Sequence, residues 1–233
     1  GYIMTWGSNV PLTRTPDAHF LTEVRYKGTK VVSVSPDYAE STTSSDAWLN
    51  VKAGTDAALA MAMGHVILKE YYIDKETPYF KEYAKEFTDM PFLVRVEDIN
   101  GAVQPGRFLN AKDLGSKEDG ADFQTVLIDE TTNEIVVPNG TMGDRHTNPQ
   151  KWNLRLENRN TGAKIDPRLS VFDQRQDVTV VKLPYFGDEE HEGVIERAIP
   201  TITVQTVDGP VKVTTVYDLI LANYGIDRGI GGE

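Results

Sequence analysis

Three short polar runs, each after an apolar or strand-like stretch, carry the side chains best suited to hold a ligand. The first is Trp6-Gly7-Ser8-Asn9-Val10-Pro11. It ends the strand-like run Tyr2 to Trp6, and ligands of open α/β sheets bind at the carboxyl ends of strands, where the strand order reverses. Glycine permits close backbone approach there, while Ser8 and Asn9 offer short polar groups to a phosphate. A helix start near Thr15 to Asp17 would add oriented backbone donors. The same composition also suits a strand-to-helix turn for conformational reasons alone. The second run is Ser35-Pro36-Asp37. An acid at this point would take ribose hydroxyls in a nicotinamide enzyme, but Gly7 is followed by no further glycine before Gly28, which disfavours a nicotinamide fold. A polar turn after a strand explains the run equally well. The third is Ala53-Gly54-Thr55-Asp56-Ala57-Ala58. Thr55 can cap the following helix and Asp56 suits its positive end. Alternatively, the two oxygens of Asp56 match the paired ring and exocyclic N–H donors of guanine. Capping alone does not choose between these readings.

Other chemistries find less support. His19 and His65 lie on helices without a second His or acid at ligand spacing, and His191 sits in the acidic run Asp188 to Glu192, read as a solvated loop. With no cysteine, a disulfide framework and any Cys-ligated zinc or iron–sulfur site are excluded within these 233 residues. No Ser/His/Asp or Cys/His arrangement and no Walker loop stands out, so no catalytic or metal-ligating residue is assigned. The sequon at Asn139-Gly140-Thr141 is read as idle, and the pairs Tyr71-Tyr72 and Tyr185-Phe186 as packing. A formal net charge of −11 speaks against general nucleic-acid or anionic-lipid binding. Arg14, Arg25, Lys27 and Lys30 gather against that sign and allow a local cationic pocket for a phosphorylated ligand. No apolar run approaches the roughly 18 residues that span a bilayer.

The elements that must position these groups read as a strand (Tyr2 to Trp6), a helix and a second strand (Val31 to Val34). The helix opens on Thr15 as its capping hydroxyl, with Pro16 and Asp17 in its first turn, and closes at Gly28. That βαβ unit implies parallel pairing. Ala47-Trp48-Leu49 reads as a short strand. Ala57 to about Tyr72 reads as a helix, apolar around nearly its whole circumference and expected to be buried on several sides. A further helix is expected from Pro78 to Phe87, with Tyr79, Phe80, Tyr83 and Phe87 on one side. From Gln104 to Ile165 the sequence is turn-rich with short β-type runs. Val178 to Leu183, Thr201 to Val207 and Val211 to Thr215 read as strands, with Asp208-Gly209 as a hairpin signal, and Thr215 to Asp218 opens a last helix. The chain opens at Gly1 without an initiator Met and closes at Gly231-Gly232-Glu233 directly after that helix, so an internal segment is the expected reading.

These blocks resemble one family. The carriers are Trp6 to Pro11, Thr13-Arg14-Thr15-Pro16-Asp17-Ala18-His19-Phe20, Glu23-Val24-Arg25-Tyr26-Lys27-Gly28, Ser35-Pro36-Asp37-Tyr38-Ala39-Glu40 and Gly54-Thr55-Asp56-Ala57-Ala58. Thr88-Asp89-Met90-Pro91, Lys151-Trp152-Asn153-Leu154, Pro184-Tyr185-Phe186-Gly187 and Thr214 to Leu219 match further. They resemble the dimethyl sulfoxide reductase family of molybdenum enzymes, in its respiratory nitrate reductase alpha-subunit branch.

The resemblance implies an α/β fold: a parallel-sheet, three-layer, Rossmann-like molybdopterin-binding domain with a turn- and strand-rich insertion. Residues 1–91 would be the cofactor-binding part and 92–177 the insertion. Residues 178–233 would return to the α/β body, all within a larger subunit. It further implies reduction of nitrate to nitrite at a molybdenum bis(molybdopterin guanine dinucleotide), with a 4Fe-4S cluster whose ligands lie outside these residues. The implied partners are an iron–sulfur beta subunit and a membrane-anchored haem gamma subunit at the cytoplasmic face of the membrane. Gly7, Ser8, Asn9, Pro11 and Arg14 would approach one cofactor's pterin or phosphates, and Ser35, Pro36, Asp37, Gly54 and Asp56 would surround its guanosine end. The family's metal-ligating aspartate lies upstream of the first block, so the segment alone is expected to be inactive. It is also expected to be poorly soluble or partly unfolded when isolated, because its sheet edges and the Ala57–Leu68 helix would lack partners. Chlorate, perchlorate and selenate reductases are the alternative reading within the family, and a stand-alone nucleotide-binding module is the reading outside it.

Overall fold

Strand β1 (Tyr2–Trp6) pairs in parallel with β2 (Lys30–Val34), and β2 with β3 (Ala47–Leu49), in the order β1-β2-β3. The structure, a computed structural model, describes residues 1–140, 155–185 and 193–231. Lys151 to Leu154, Phe186-Gly187, the acidic run with His191 and the sequon's Thr141 fall outside the described residues. Two compact units are present, Gly1–Ala62 and Met63–Glu233.

In the first unit, α1 (Val10–Thr13) and α2 (Thr15–Tyr26) connect β1 to β2, which is the parallel crossover the sequence implies. The central strand β2 buries Val31, Val32, Ser33 and Val34 in succession, as a parallel strand covered on both faces requires. Another short helix, α3 (Glu40–Thr43), precedes β3. Asp46 fixes the start of β3, for its carboxylate accepts from Val31 N at 2.7 Å. That hydrogen bond, helped by the nearby charges of Lys30 and Arg25, holds the Asp46 carboxyl below the usual carboxylate range. Thr15 does not cap α2: Arg14 occupies the capping position, and the Thr15 hydroxyl donates to Leu12 O at 3.2 Å.

Helix α4 (Asp56–Ile67) winds on into a π-helical stretch, Leu68–Asp74, where the sequence implied one regular helix to Tyr72. None of the α4 side chains is fully buried within the chain, contrary to the expected burial on several sides; the first buried residue is Leu68. Helix α5 (Pro78–Phe87) has the expected bounds, but its aromatics divide. Phe80 packs inward beside Ala84, whereas Tyr79, Tyr83 and Phe87, spaced by four, form an exposed stripe. Gly64 meets the ring of Tyr224, and a Cβ there would lie 2.3 Å from Tyr224 Cε1. Gly64→Val is therefore expected to destabilise this unit by about 1–3 kcal/mol through overpacking, checked by hydrogen exchange at the Leu221 and Ile226 amides. Unaltered exchange would show that the Tyr224 ring swings aside freely.

The large sheet of the second unit is antiparallel. Its strands are β4 (Leu93–Ile99), β5 (Ala102–Phe108), β10 (Asp177–Pro184), β11 (Val194–Thr206) and β12 (Gly209–Thr215), in the order β10-β11-β12-β4-β5. Two small ladders lie between them in sequence: β6 (Leu127–Ile128) with β7 (Ile135–Val136), and β8 (Pro138–Asn139) with β9 (Arg155–Asn158). The parallel three-layer body expected from the resemblance is thus limited here to three parallel strands. The reason is connective: β4–β5 and β11–β12 are joined by two-residue turns, Asn100-Gly101 and Val207-Asp208, which cannot link parallel strands. Asn100 and Gly101 both have positive φ, as a type I′ turn requires. The edge strands β10 and β5 approach each other, so the sheet curls. Its core is formed by Leu93, Leu109, Val126, Val171 and Val213, all fully buried.

Two buried carboxylates fasten this unit. Asp113 accepts from Arg107 at 2.7 and 2.5 Å, from Arg95 at 3.3 Å and from Asn110 N at 3.0 Å. Burial alone would raise its pKa; the Arg107 and Asn110 donors and both guanidinium charges bring it below the ordinary range. Asp218, in the first turn of α6 (Val216–Asn223), accepts from Thr215 Oγ1, Ser170 Oγ, Val171 N and Arg228 Nη1 at 2.6 to 2.9 Å. Thr215 in turn caps α6 by accepting from Asp218 N at 3.1 Å.

Candidate functional site

Because β1, β2 and β3 run in parallel, their carboxyl ends share one edge. The three polar runs leave from it: residues 7–9 after Trp6, residues 35–37 after Val34, and residues 50–56 after Leu49. Gly7 adopts φ +60°, and its N–H donates to Val34 O at 3.1 Å. A Cβ added there would meet nothing within 4 Å, so the backbone of Gly7 presents an open surface at the strand end. Ser8 is half-buried. Asn9 precedes α1 and donates through Nδ2 to Glu40 Oε2 at 3.1 Å, while its Oδ1 is buried and has no hydrogen-bond partner among the described residues. Pro11 lies in the first turn of α1.

The second run is a self-braced turn. Ser35 Oγ donates to Asp37 O at 2.7 Å, Ser35 N to Leu49 O at 3.3 Å, and Ser35 O accepts from Trp48 Nε1 at 2.9 Å. Pro36 and Asp37 are exposed above it. In the third run Gly54 has φ +84°, and the Thr55 hydroxyl donates to Lys52 O at 2.7 Å instead of capping α4. Asp56 reaches back to the first run, with Oδ1 accepting from Trp6 Nε1 at 2.6 Å. One carboxylate oxygen is therefore engaged and the other remains available.

The edge thus brings together Gly7, Ser8, Asn9, Ser35, Asp37 and Asp56. The cationic pocket that the sequence allows is not formed there by Arg25 and Lys30, which pair with Asp46 at 3.6 and 3.9 Å, at the amino ends of β2 and β3. Arg14 is exposed and 3.9 Å from Asp17. The start of α2 offers few donors, since Pro16 has no N–H and the N–H of Asp17 is taken by Arg14 O. Instead the edge is rich in acceptors, with the exposed carboxylates of Asp37, Glu40 and Asp56. Such a set suits a ligand that presents N–H and O–H donors, such as a purine-like heterocycle and its ribose.

Sequence reasoning gave Trp48 no part in this site, and it named Trp6 and Glu40 only within longer runs, without their contacts to Asp56 and Asn9. An indole N–H at a strand end needs an acceptor, which was the available signal for the two tryptophans; Glu40 stood only at the end of a resembling block, with nothing local to mark its contact. Among the described residues, no three His, Cys, Asp or Glu side chains come together as a metal site. No described helix is long and apolar enough to cross a membrane.

Comparison with known proteins adds to the geometry. The sequence model described as molybdopterin oxidoreductase matches residues 1–207. The chain is 53% identical over 231 residues to the nitrate reductase alpha chain of Bacillus subtilis (strain 168), covering 99% of this chain and 19% of that protein. It is 47% identical over 241 residues to the respiratory nitrate reductase 1 alpha chain of Escherichia coli (strain K12), covering 98% and 19%. Similarity to the perchlorate reductase subunit alpha of Dechloromonas aromatica (strain RCB) is 40% over 147 residues, covering 62% and 14%. The chain therefore spans about a fifth of the length of the first two relatives.

Proposed function

Since the chain belongs to the molybdopterin oxidoreductase family, we propose that the carboxyl edge of β1-β2-β3 holds a molybdopterin guanine dinucleotide in a larger protein that reduces nitrate to nitrite. The observation that carries this reading is the convergence of three polar runs on one parallel-sheet edge, tied by the Trp6–Asp56 hydrogen bond and open above Gly7. In this assignment Gly7, Ser8, Asn9, Pro11 and Arg14 approach the pterin and phosphates. Ser35, Pro36, Asp37, Gly54 and Asp56 surround the guanosine end, with Asp56 accepting from guanine N–H groups while Trp6 holds the carboxylate in place. The acceptor-rich edge fits the donor-rich faces of guanine and ribose, and the open backbone at Gly7 fits a close-lying pyrophosphate. When bound, the molybdenum cofactor supplies the two-electron transfer that converts nitrate, with two protons, to nitrite and water.

The remainder of the reading follows from the same family membership. We assign a 4Fe-4S cluster, an iron–sulfur beta subunit, a haem-bearing gamma subunit and attachment at the cytoplasmic face of the membrane to the whole protein, outside these 233 residues. The three parallel strands would be part of a larger three-layer, Rossmann-like sheet. Nitrate is preferred over chlorate or perchlorate as substrate because identity to the nitrate reductase alpha chains is higher and covers nearly the whole chain.

Asp56→Ala in the full-length protein tests the assignment. It removes a charge-assisted contact and is expected to speed release of the guanine dinucleotide in mild urea by about tenfold or more, read as GMP liberated by acid hydrolysis of the cofactor fraction. Unchanged retention would overturn the placement of the guanosine end at Asp56.

A further inference from the structure

The second unit has a cleft of its own. It has a volume of about 540 Å3 and lies among Tyr72, Ile73, Leu169, Phe172, Tyr217 and Arg228. Its size and largely apolar floor are those of a small-molecule site. Tyr217 is 5% exposed and Tyr72 9%, and neither hydroxyl has a hydrogen-bond partner among the described residues. Neither oxygen is wholly covered, so the little surface that each residue keeps includes its hydroxyl, on the cleft. Arg228, with its side chain 9% exposed, uses Nη1 for Asp218 and Ser170, which leaves Nε and Nη2 without an acceptor among the described residues. Three side chains, each nine-tenths buried, thus bring unmatched donors to one cleft, an unfavourable arrangement unless a ligand accepts from them.

A guanidinium can only donate, so Arg228 sets the polarity and asks for a ligand rich in acceptors. The two phenols match it, for burial raises the pKa of both and keeps their protons in place at ordinary pH. The acids at the rim do not oppose an anion strongly. Glu76 is paired with Lys81 and Glu130 with Arg168, while Asp173 and Asp227 are exposed, where water and salt screen them. Beside the donors, Ile73 and Leu169 supply apolar wall. We propose that this cleft binds a small organic carboxylate, its oxygens accepting from Tyr72, Tyr217 and the free edge of Arg228, and its apolar body lying against Ile73 and Leu169. A carboxylate has about four lone-pair sites for these donors, and its plane matches that of a guanidinium. The assignment concerns the second unit alone and stands apart from the cofactor edge.

Benzoate, a flat aromatic carboxylate, is the probe, added to the purified full-length protein and followed by amide hydrogen exchange. At about ten times its half-saturating concentration, exchange in residues 169–174 and 216–228 is expected to slow about tenfold. Chloride at the same ionic strength should give no such slowing. Pairing Tyr72→Phe with Tyr217→Phe removes only the two oxygens. Because neither has a partner among the described residues, the double variant should keep the parent's thermal stability. It should nonetheless need about tenfold more benzoate, or beyond, for the same slowing. Benzamide, of the same shape but without the charge, should also need about tenfold more. No local slowing by benzoate, equal slowing in the double variant, or equal slowing by chloride overturns the site. Slowing by benzamide at the benzoate concentration overturns the choice of a carboxylate. A fall in the thermal stability of the double variant would assign the two hydroxyls to the protein's own packing and overturn the proposal as well.

Discussion

Replacing Asp218 by alanine is expected to lower the local stability of α6 by about 3–5 kcal/mol, the cost of breaking a buried ion pair from one side. The carboxylate is fully buried, and it receives two hydroxyls, one backbone N–H and the guanidinium of Arg228, itself nearly buried. Without it the Arg228 charge lies against Phe172 with no counter-ion, and Val171 N loses its acceptor. Amide hydrogen exchange of the helix in the full-length protein should accelerate by roughly two to four orders of magnitude. Pairing Asp218→Ala with Arg228→Met removes both charges and should recover much of the protection. Exchange unchanged in the single variant would mean that the network contributes nothing to holding the helix.

The second large effect concerns Gly7. At φ +60° a β-branched residue is strained by roughly 1–2 kcal/mol, and its side chain would occupy the open surface over the end of β1. Gly7→Val is expected to speed loss of the guanine dinucleotide from the full-length protein by about a hundredfold, strain and lost close approach each giving about a factor of ten. Gly28 provides the control. It has φ +87° and equally open surroundings, but it precedes β2 at the opposite edge of the sheet. Gly28→Val carries similar backbone strain and should leave cofactor retention as in the parent. Equal losses from both variants would attribute the effect to general strain in the first unit.

What could be read from the residues divides along sequence separation. The β1–α2–β2 unit was legible because its pattern is local: a β-branched run, Pro16 in the first helical turn, and Gly28 at the stop. The residue types of the site were legible for the same reason. Their partnerships were not, since Trp6 meets Asp56 across 50 positions and Asn9 meets Glu40 across 31, with no local trace of either contact. The large sheet shows the same limit. Asp208-Gly209 announced one hairpin, and Asn100-Gly101 carried an equally strong signal that reads as a strand end unless the run beyond it is paired back. Nothing near Val96 or Lys212 signals that these residues lie side by side. Composition also misled at α4, where an apolar circumference implied burial that this chain does not itself provide.

The pairing of β12 with β4 sets a timetable for synthesis. The β4–β5 hairpin is complete once Phe108 has been made, but the strand that covers the other side of β4 comes roughly a hundred residues later. At ordinary rates of translation that interval is about 5–20 s. Throughout it, Val94 to Val96 lack the strand that pairs with them, the condition under which nascent chains pair wrongly with one another. Ribosome-bound chaperones would therefore meet this protein chiefly while the region between Phe108 and Gly209 is being synthesised.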